Sequence, residues 1–266
     1  MNQKPSGSLV LVGTGITLGS HITPICRSHI ETADIVYCVV ATSLMEEWIF
    51  SMNANVVSFQ YLYKEGKDRR QTYNAMVNIM LASLREGKHV VGAYYGHPGI
   101  FALPPHKAIA KARKEGFHAY MEPGISAEAC LYADIGIDPG SIGTAQYEAT
   151  QFMLYHRVID TAGYLILWQI GMAGDRAAEQ FTTANAYRTM LKKLLFEYYP
   201  SDHRVAIYEA RALPTDNIRI DWIPLNHLDK CQVHQYSTLL VPPARSMKID
   251  VEREAALRAL HQSLSD

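Results

Sequence analysis

Two tyrosines and an arginine are grouped between positions 63 and 73 of the sequence. Apolar residues recur at intervals of three and four from Thr72 to Leu84, which predicts an amphipathic helix that begins near Arg69. Arg69 and Tyr73 are then neighbours on one face of that helix, one turn apart. Tyr63 precedes the helix on a loop that contains a glycine.

This grouping could deprotonate a very weak acid. A tyrosine hydroxyl has a pKa of about 10 in water, and a guanidinium held against it favours the phenolate. A phenolate formed in this way would be a strong base near neutral pH. A solvated contact between an arginine and a tyrosine on a surface helix would give the same short pattern, so both interpretations stay open on these residues alone.

The composition is that of a globular protein without a strong overall charge. Of 266 residues, 48% are hydrophobic and 19% are charged, and the formal net charge is -1. Such a balance provides no basic field that would recruit nucleic acid or an anionic membrane. The 16 tyrosines outnumber 3 tryptophans and 7 phenylalanines, a bias that suits an apolar cleft lined with hydroxyl groups.

Neither a targeting signal nor a disulfide framework is predicted. Glycines interrupt the first apolar stretch at once, so it is no signal peptide, and no apolar run approaches membrane-spanning length. Cys26, Cys38, Cys130 and Cys231 are far apart and form no C-x-x-C pair, which argues against disulfides and a zinc ribbon. We expect a soluble, cytoplasmic protein in which Cys38 and Cys130 are buried thiols.

The order of the elements predicts two α/β domains. Strands are predicted at residues 8–12, 35–40, 55–59, 89–95 and 118–121, with helices between them up to about residue 33, from 69 onward and at 105–115. Apolar strands that alternate with helices indicate a parallel sheet covered on both faces. These elements form the predicted N-terminal domain, residues 8–136, which carries the loop and helix of the tyrosine–arginine group.

A turn-rich stretch at residues 133–140 is the predicted domain boundary. The C-terminal domain, residues 140–245, has predicted strands at 164–170, 204–209, 218–222 and 237–241 and one long helix at about 176–197, which favours a mixed sheet. A terminal amphipathic helix is predicted within residues 246–266. It packs either on its own domain or on a partner subunit, and the pattern does not distinguish the two.

Two partial motifs argue against common enzyme classes. Gly13-Thr-Gly15 follows the first strand, but Leu18 stands where a dinucleotide-binding fingerprint needs its third glycine. We therefore expect these glycines to allow tight packing of the strand against a helix rather than to bind NAD. Ser126 follows Gly-Ile but lacks the second glycine of a hydrolase nucleophile elbow, so it is expected to cap the next helix.

Several polar residues are predicted at strand ends, where α/β proteins bind ligands. His97 lies in a turn between a glycine and a proline, and Gln169 and the Ser237-Thr238 pair lie at the ends of later strands. For each of them a ligand contact and a structural role are both open. No histidine belongs to an H-E-x-x-H motif or lies at ligand spacing from a cysteine, so no metal site is predicted.

Five motifs follow one another along the chain: Gly13-Thr-Gly15, Tyr95-Gly-His-Pro-Gly99, Glu122-Pro-Gly-Ile-Ser-Ala-Glu128, Trp168-Gln-Ile-Gly171 and Ser237-Thr-Leu-Leu-Val-Pro-Pro243. Taken in this order, they resemble the tetrapyrrole methylase superfamily and, within it, the borosin peptide backbone α-N-methyltransferases. The resemblance covers residues 8–243. It implies an α/β fold of two domains with S-adenosylmethionine in the cleft between them, and it implies a homodimer.

The resemblance also implies roles for individual residues. Tyr73 would be the base, Arg69 would support it, and Tyr63 would bind the substrate amide. Cofactor contacts would carry over to Tyr95, His97, Ile100, Ala127, Gln169, Ala210, Ser237 and Thr238. No metal is implied.

Two departures from the superfamily argue against a tetrapyrrole substrate. Ile16-Thr-Leu18 stands where members usually have Pro-Gly-Asp, and His97 stands where they usually have the aspartate of Gly-Asp-Pro. A methyltransferase of a tetrapyrrole or another small molecule is the alternative hypothesis, and a non-catalytic adaptor is a third. Because the sequence ends after one helix without an apolar core segment, we expect a separate precursor peptide with a leader domain and a core segment.

Overall fold

The computed structural model describes residues 6–64, 66–176, 179–180 and 182–265. The strands are β1 Ser8–Gly13, β2 Ile35–Val39, β3 Val56–Ser58, β4 His89–Tyr94, β5 His118–Glu122, β6 Thr144–Glu148, β7 Tyr164–Trp168, β8 Arg204–Glu209, β9 Arg219–Pro224 and β10 Thr238–Val241. The helices are α1 Pro24–Thr32, α2 Ser43–Phe50, α3 Arg69–Arg85, α4 Leu103–Lys114, α5 Ala127–Ile135, α6 Pro139–Ile142, α7 Ala149–Leu154, α8 Asn185–Leu195 and α9 Val251–Ser265. Short 3-10 helices lie at Gln60–Leu62, Ile170–Met172 and Leu225–Lys230.

The first five strands form a parallel sheet in the order β3-β2-β4-β1-β5, which confirms the prediction. Side chains alternate between the two faces of a strand. In β1, Leu9 and Leu11 join the core cluster under α3 and α4, whereas Val10 and Val12 join the cluster under α1 and α2. Because both faces are buried, the strand shows a continuous apolar run instead of a polar alternation.

The last five strands form a mixed sheet in the order β6-β7-β10-β8-β9, also as predicted. β6 pairs with β7 in parallel, whereas β10 pairs with β7 and β8, and β8 with β9, in antiparallel fashion. Helices α7 and α8 cover one face of this sheet. Helix α5, which follows the first sheet in the chain, contributes Cys130 and Leu131 to the core on the other face.

Hydrogen bonds join the segment after β1 to the segment after β8. The Leu18 N–H donates to the carbonyl of Ala212 at 2.9 Å, and the Thr17 hydroxyl donates to the carbonyl of Arg211 at 3.0 Å. These contacts bring the end of a first-sheet strand next to the end of a second-sheet strand.

Several elements differ from the sequence-based prediction. The first helix begins at Pro24 rather than directly after Gly15, because the chain turns at Gly19 with a φ of 70° and Thr23 then caps the helix. The helix predicted at 176–197 is wrong in its first part, since α8 begins only at Asn185; residues 177, 178 and 181 of that range lie outside the described residues. The short elements α2, α6, α7 and β6 were not predicted.

The terminal helix α9 is confirmed, and its apolar side chains are exposed. Leu257, Leu260 and Leu264 are not covered by any part of the chain that the structure describes. Within the same described ranges, no helix combines the length and the apolar character that crossing a bilayer demands.

The expected buried thiols are confirmed. Cys38 and Cys130 are buried and free, as is Cys26, whereas Cys231 is partly exposed. Burial, followed by the charge of Glu46, raises the pKa of the Cys38 thiol to about 12. It is therefore a neutral core side chain rather than a nucleophile.

Glycine-bearing segments meet at the end of β1. A β-carbon built at Gly13 would lie 2.4 Å from both the Gly96 carbonyl oxygen and the Gly124 nitrogen. Gly15 and Gly96 exchange backbone hydrogen bonds of 3.1 and 2.8 Å. The prediction that these glycines allow tight packing is thus confirmed. The predicted packing partner was wrong, because Gly13 packs against the backbone of two other segments and not against a helix.

Replacing Gly13 with alanine should lower the midpoint of thermal unfolding, because the backbones of Gly96 and Gly124 cannot move aside as a flexible side chain would. Overpacking of this kind costs about 1–3 kcal/mol. Gly19→Ala is the matched control, since a β-carbon there would meet nothing within 4 Å and only its left-handed backbone is penalised. A Gly13→Ala midpoint equal to that of the unmodified protein would contradict the close packing.

Candidate active site

Local hydrogen bonds set the positions of the tyrosine–arginine group. The 3-10 helix Gln60–Leu62 ends at Tyr63, whose N–H donates to the Gln60 carbonyl at 3.0 Å. Asp68 then caps α3 by accepting a hydrogen bond from the Arg70 N–H at 2.7 Å. Arg69 therefore lies in the first turn of α3, and Tyr73 lies one turn later.

The loop that carries Tyr63 is fastened to α3 at one carbonyl. The Thr72 hydroxyl donates to the Leu62 carbonyl oxygen at 3.1 Å, and the Lys67 ammonium donates to the same oxygen at 3.2 Å. Thr72 is almost completely buried. This attachment holds the backbone just before Tyr63 against the face of α3 that also presents Arg69 and Tyr73.

The three predicted catalytic residues are brought together. The Arg69 guanidinium carbon lies 5.8 Å from the centre of the Tyr63 ring, within the range of a cation–π contact. Both Tyr63 and Tyr73 are partly buried and pack against the core beneath α3 and α4. The arrangement is therefore not a solvated surface pair.

Burial dominates the electrostatics of Tyr63. Removal from water raises the pKa of its phenol well above the usual value, and the charges of Tyr73 and Tyr95 raise it further. The Arg69 guanidinium acts in the opposite direction but is outweighed. Tyr63 is consequently a neutral hydrogen-bond donor near neutral pH.

A third tyrosine, not singled out in the sequence, adjoins this group. Tyr94 at the end of β4 is 5% exposed, and its hydroxyl has no hydrogen-bond partner among residues 6–64, 66–176, 179–180 and 182–265. Burial raises the pKa of this phenol, and the charges of Tyr63 and Tyr73 add to the effect. Its neighbour Tyr95 is 46% exposed. The signal in the sequence is the Tyr-Tyr pair at the end of an apolar strand.

The predicted cofactor residues of the first half lie in the segments that follow β4 and β5. In the turn after β4, His97 accepts a hydrogen bond at Nδ1 from the Gly99 N–H at 2.9 Å, and the Ile100 N–H donates to the His97 carbonyl at 3.2 Å. Burial, followed by the charge of His106, lowers the pKa of His97. Ala127 begins α5, and Ser126 caps that helix through a 3.2 Å bond to the Ala129 N–H, as predicted.

The predicted cofactor residues of the second half meet at the ends of three adjacent strands. Gln169 directly follows β7, and the next N–H, that of Ile170, donates to the Ser237 carbonyl at 3.0 Å. Thr238 pairs with Tyr208 across β10 and β8. Ala210 follows β8 directly.

A buried carboxylate that sequence reasoning missed organises this end of the sheet. Glu209 accepts a short hydrogen bond from the Ser237 hydroxyl, and one of its oxygens lies 2.8 Å from the Arg219 guanidinium and 3.0 Å from the His234 ring. The Ser237 hydroxyl also accepts a hydrogen bond from the His234 N–H at 2.7 Å. Ser237 is therefore fully buried and already engaged on both sides. The signal in the sequence is an acid at the last position of an apolar strand.

Aromatic packing connects the two groups of strand ends. The ring of Phe101, just after Ile100, lies 5.5 Å from the ring of Trp168, just before Gln169. Phe101 and Gln169 adopt positive φ angles of 50° and 59°, which cost energy in residues other than glycine and cluster at functional sites. Ala127 and Ala210 both pack against the core that contains Trp168. The predicted residues of the two halves thus converge.

The comparison of families agrees with this geometry. A family described as Tetrapyrrole (Corrin/Porphyrin) Methylases matches residues 8–221. The chain belongs to this family.

In the ranges that the structure describes, no three His, Cys, Asp or Glu side chains are grouped so that they could hold a metal ion.

Relatives within the family are borosin proteins. The chain is 39% identical over 264 residues to a methyltransferase/ribosomally synthesized type I borosin cyclic peptide precursor from Coprinopsis marcescibilis, covering 96% of this chain and 67% of that protein. It is 39% identical over 268 residues to a methyltransferase/ribosomally synthesized cyclic peptide gymnopeptides precursor from Gymnopus fusipes, covering 98% and 63%. It is 35% identical to the corresponding omphalotin A precursor from Omphalotus olearius, covering 96% and 63%. The chain thus spans about two thirds of these relatives.

Solved structures share the fold of this tetrapyrrole methylase family member. Uroporphyrin-III-C-methyltransferase from Thermus thermophilus superposes with a TM-score of 0.62 at 17% identity, covering 90% of this chain and 93% of that one. The cobalamin biosynthetic enzyme cobalt precorrin-4 methyltransferase superposes with a TM-score of 0.65 at 16% identity, covering 91% and 97%. At these identities the likeness concerns the two-domain α/β architecture alone.

Replacing Thr72 with valine should loosen the loop that carries Tyr63, because the hydrogen bond to the Leu62 carbonyl is lost while the shape is kept. A net cost of about 1 kcal/mol is expected. Hydrogen–deuterium exchange of the peptide that spans residues 60–68 should become faster. Thr72→Ser, which keeps the hydroxyl, is the control, and equal exchange in all three proteins would show that this bond does not hold the loop.

Proposed function

We propose that this methyltransferase transfers a methyl group from S-adenosylmethionine to backbone amide nitrogens of a ribosomally made peptide. The observation that carries the proposal is the group of buried phenols beside Arg69, next to the strand ends that the resemblance assigns to the cofactor. The printed names of the relatives, which join a methyltransferase to a ribosomal peptide precursor, support the same substrate class.

The chemistry of a peptide amide explains why such phenols are needed. Its N–H is a far weaker acid than any ionisable side chain, and the nitrogen lone pair is delocalised into the carbonyl. Methylation must therefore remove the amide proton while the carbonyl oxygen takes up negative charge. The site needs one acceptor for the proton and at least one donor for the oxygen.

The phenols divide these two tasks. Tyr73, as phenolate, accepts the amide proton, with Arg69 beside the pair to offset the negative charge. Tyr63, which burial keeps protonated, donates a hydrogen bond to the carbonyl oxygen. Stabilising the developing oxyanion in this way is worth roughly 3–4 kcal/mol.

The residues at the strand ends fit S-adenosylmethionine by their chemistry. The ring of Tyr95 is exposed and offers an aromatic face to a sulfonium cation. Tyr95, His97, Ile100, Ala127, Gln169, Ala210, Ser237 and Thr238 are the proposed cofactor contacts. Ser237 would act through its backbone and through the turn that its hydroxyl fixes, because that hydroxyl is engaged with Glu209. When bound, the cofactor supplies an electrophilic methyl group that needs no metal.

The decisive experiment is methyl transfer followed by tandem mass spectrometry. The purified chain is incubated with S-adenosylmethionine and a precursor peptide encoded beside it. We expect methyl groups on backbone nitrogens of the added peptide, and light scattering should give twice the chain mass of 29.8 kDa for the expected homodimer. Methylation of side chains alone would refute the proposed chemistry, and methyl groups on this chain itself would refute the separate peptide.

The base is tested by Tyr73→Phe. The change removes one hydroxyl and keeps the ring, so affinity for S-adenosylmethionine in calorimetry should be unchanged. The single-turnover rate should fall by about 10²-fold or more, as expected for the loss of a general base.

Two further variants sharpen this test. Tyr61→Phe is the matched control, because Tyr61 lies two residues before Tyr63 and is exposed; its rate should equal that of the unmodified protein. Arg69→Lys should be strongly impaired, since an ammonium does not reproduce the planar guanidinium beside a ring. A Tyr73→Phe rate close to that of Tyr61→Phe would move the base to another residue.

A further inference from the structure

The unpartnered hydroxyl of Tyr94 calls for an explanation. Its backbone is firmly held in β4, where the carbonyl accepts a hydrogen bond from the Thr14 N–H at 2.8 Å. Its side chain is 5% exposed, and none of the residues described in the structure pairs with the hydroxyl. A buried polar group without a partner costs free energy, and in native proteins it often has a functional reason.

The neighbours of Tyr94 are the two phenols of the proposed mechanism. Three other tyrosines share or border its core cluster, namely Tyr37, Tyr63 and Tyr73. Tyr37, on β2, is already satisfied by Ser83 at 2.7 Å. The ionisable groups that act on the Tyr94 phenol are Tyr63, in first place, and Tyr73 from α3.

We propose that Tyr94 is a positioning residue for Tyr63: when the cleft is occupied, its hydroxyl donates a hydrogen bond to the Tyr63 phenol oxygen. That oxygen can accept one hydrogen bond while its own proton is donated elsewhere. The Tyr63 proton is thereby directed to the substrate carbonyl oxygen. The inference rests on the proposed function and adds a residue to it.

Two physical effects favour this chain of hydroxyls. Hydrogen bonds in a chain polarise one another, so the donor at the end of the chain becomes stronger. Burial holds the pKa of Tyr94 high, so its proton stays in place as negative charge develops at the substrate oxygen. Catalytic hydrogen bonds often tighten only in the occupied site, and the hydrogen bond from Tyr94 to Tyr63 is of this kind.

Stability measurements separate this role from a structural one. Tyr199, in the core of the second sheet, is 3% exposed and also has an unpartnered hydroxyl. Removing such a hydroxyl relieves a desolvation cost, so Tyr94→Phe and Tyr199→Phe should both unfold at the same or a higher temperature than the unmodified protein. Only Tyr94→Phe should slow methyl transfer. A marked loss of stability in Tyr94→Phe would overturn the proposal.

The kinetic test is a double-mutant cycle on the proposed reaction. Single-turnover rates are measured with S-adenosylmethionine over a range of peptide concentrations up to saturation for Tyr94→Phe, Tyr63→Phe and the double variant. Tyr94→Phe should lower the rate about tenfold, the loss of one hydrogen bond, and leave the peptide concentration at half saturation unchanged. It should have no further effect in the Tyr63→Phe background. An equal loss in both backgrounds would overturn the action through Tyr63.

An activity-independent signal separates failure of this inference from failure of the proposed function. Fluorotyrosine at position 63 is observed by fluorine NMR in the presence of S-adenosylhomocysteine and the precursor peptide. Tyr94→Phe should shift the signal, whereas Tyr37→Phe, whose hydroxyl is bonded to Ser83, should not. An unchanged signal overturns the role of Tyr94 whatever the activity. Absence of methyl transfer to any peptide, with the signal shifted, refutes the proposed function and leaves the contact in place.

Discussion

The close approach of backbones at the ends of β1, β4 and β5 is the constraint on which the rest of the site depends. Glycines at positions 13, 96 and 124 leave no side chain between these segments, so the chain after β4 is pressed against the chain after β1. The turn that contains His97 directly follows Gly96 and leads to Phe101, whose ring contacts the ring of Trp168 in the second sheet. The strand ends are therefore placed by contacts within the protein itself, and catalysis by positioning relies on such preorganisation.

Burial then decides what each phenol can do. The cluster beneath α3 and α4 removes the hydroxyls of Tyr63 and Tyr94 from water, and this effect exceeds the influence of the Arg69 guanidinium on Tyr63. Neighbouring acids in such a site do not lose their protons independently, because the first negative charge opposes the second. At most one phenol of the group is then charged at a time, with neutral donors around it. The same division is what an amide substrate requires, with one acceptor for its proton and donors for its oxygen.

The parts that the sequence predicted are those that depend on neighbouring residues along the chain. Continuous apolar runs such as Leu9 to Val12, which alternate with helices along the chain, predicted the parallel sheet. Ser126 was identified as a helix cap from its immediate sequence context. The late start of α8 was missed because Ala184 stands at its N-cap position and has no side chain that could cap the helix, so the sequence carries no start signal there. Glu209 and Tyr94 were missed because a buried polar atom is recognised by what surrounds it in space. For the same reason, the sequence pointed to the Arg69 guanidinium as the main influence on the pKa of a neighbouring phenol, whereas in the structure burial has the larger effect on Tyr63.

The second sheet owes its orientation at the site to a helix from the first half. The Trp168 indole N–H donates to Gln146 at 2.8 Å, and the Gln146 amide in turn donates to the Tyr132 hydroxyl of α5 at 2.8 Å. Tyr132 donates to Glu128, one turn earlier on the same helix. This network fixes the indole against Phe101, and the unfavourable backbone angles of Phe101 and Gln169 on either side of that contact persist because the surrounding packing determines them. Helix α5 follows β5 after a short segment that contains Gly124, one of the closely packed glycines. The helix is therefore attached to the strand ends of the first sheet, and through Tyr132 it also fixes the strand ends of the second sheet.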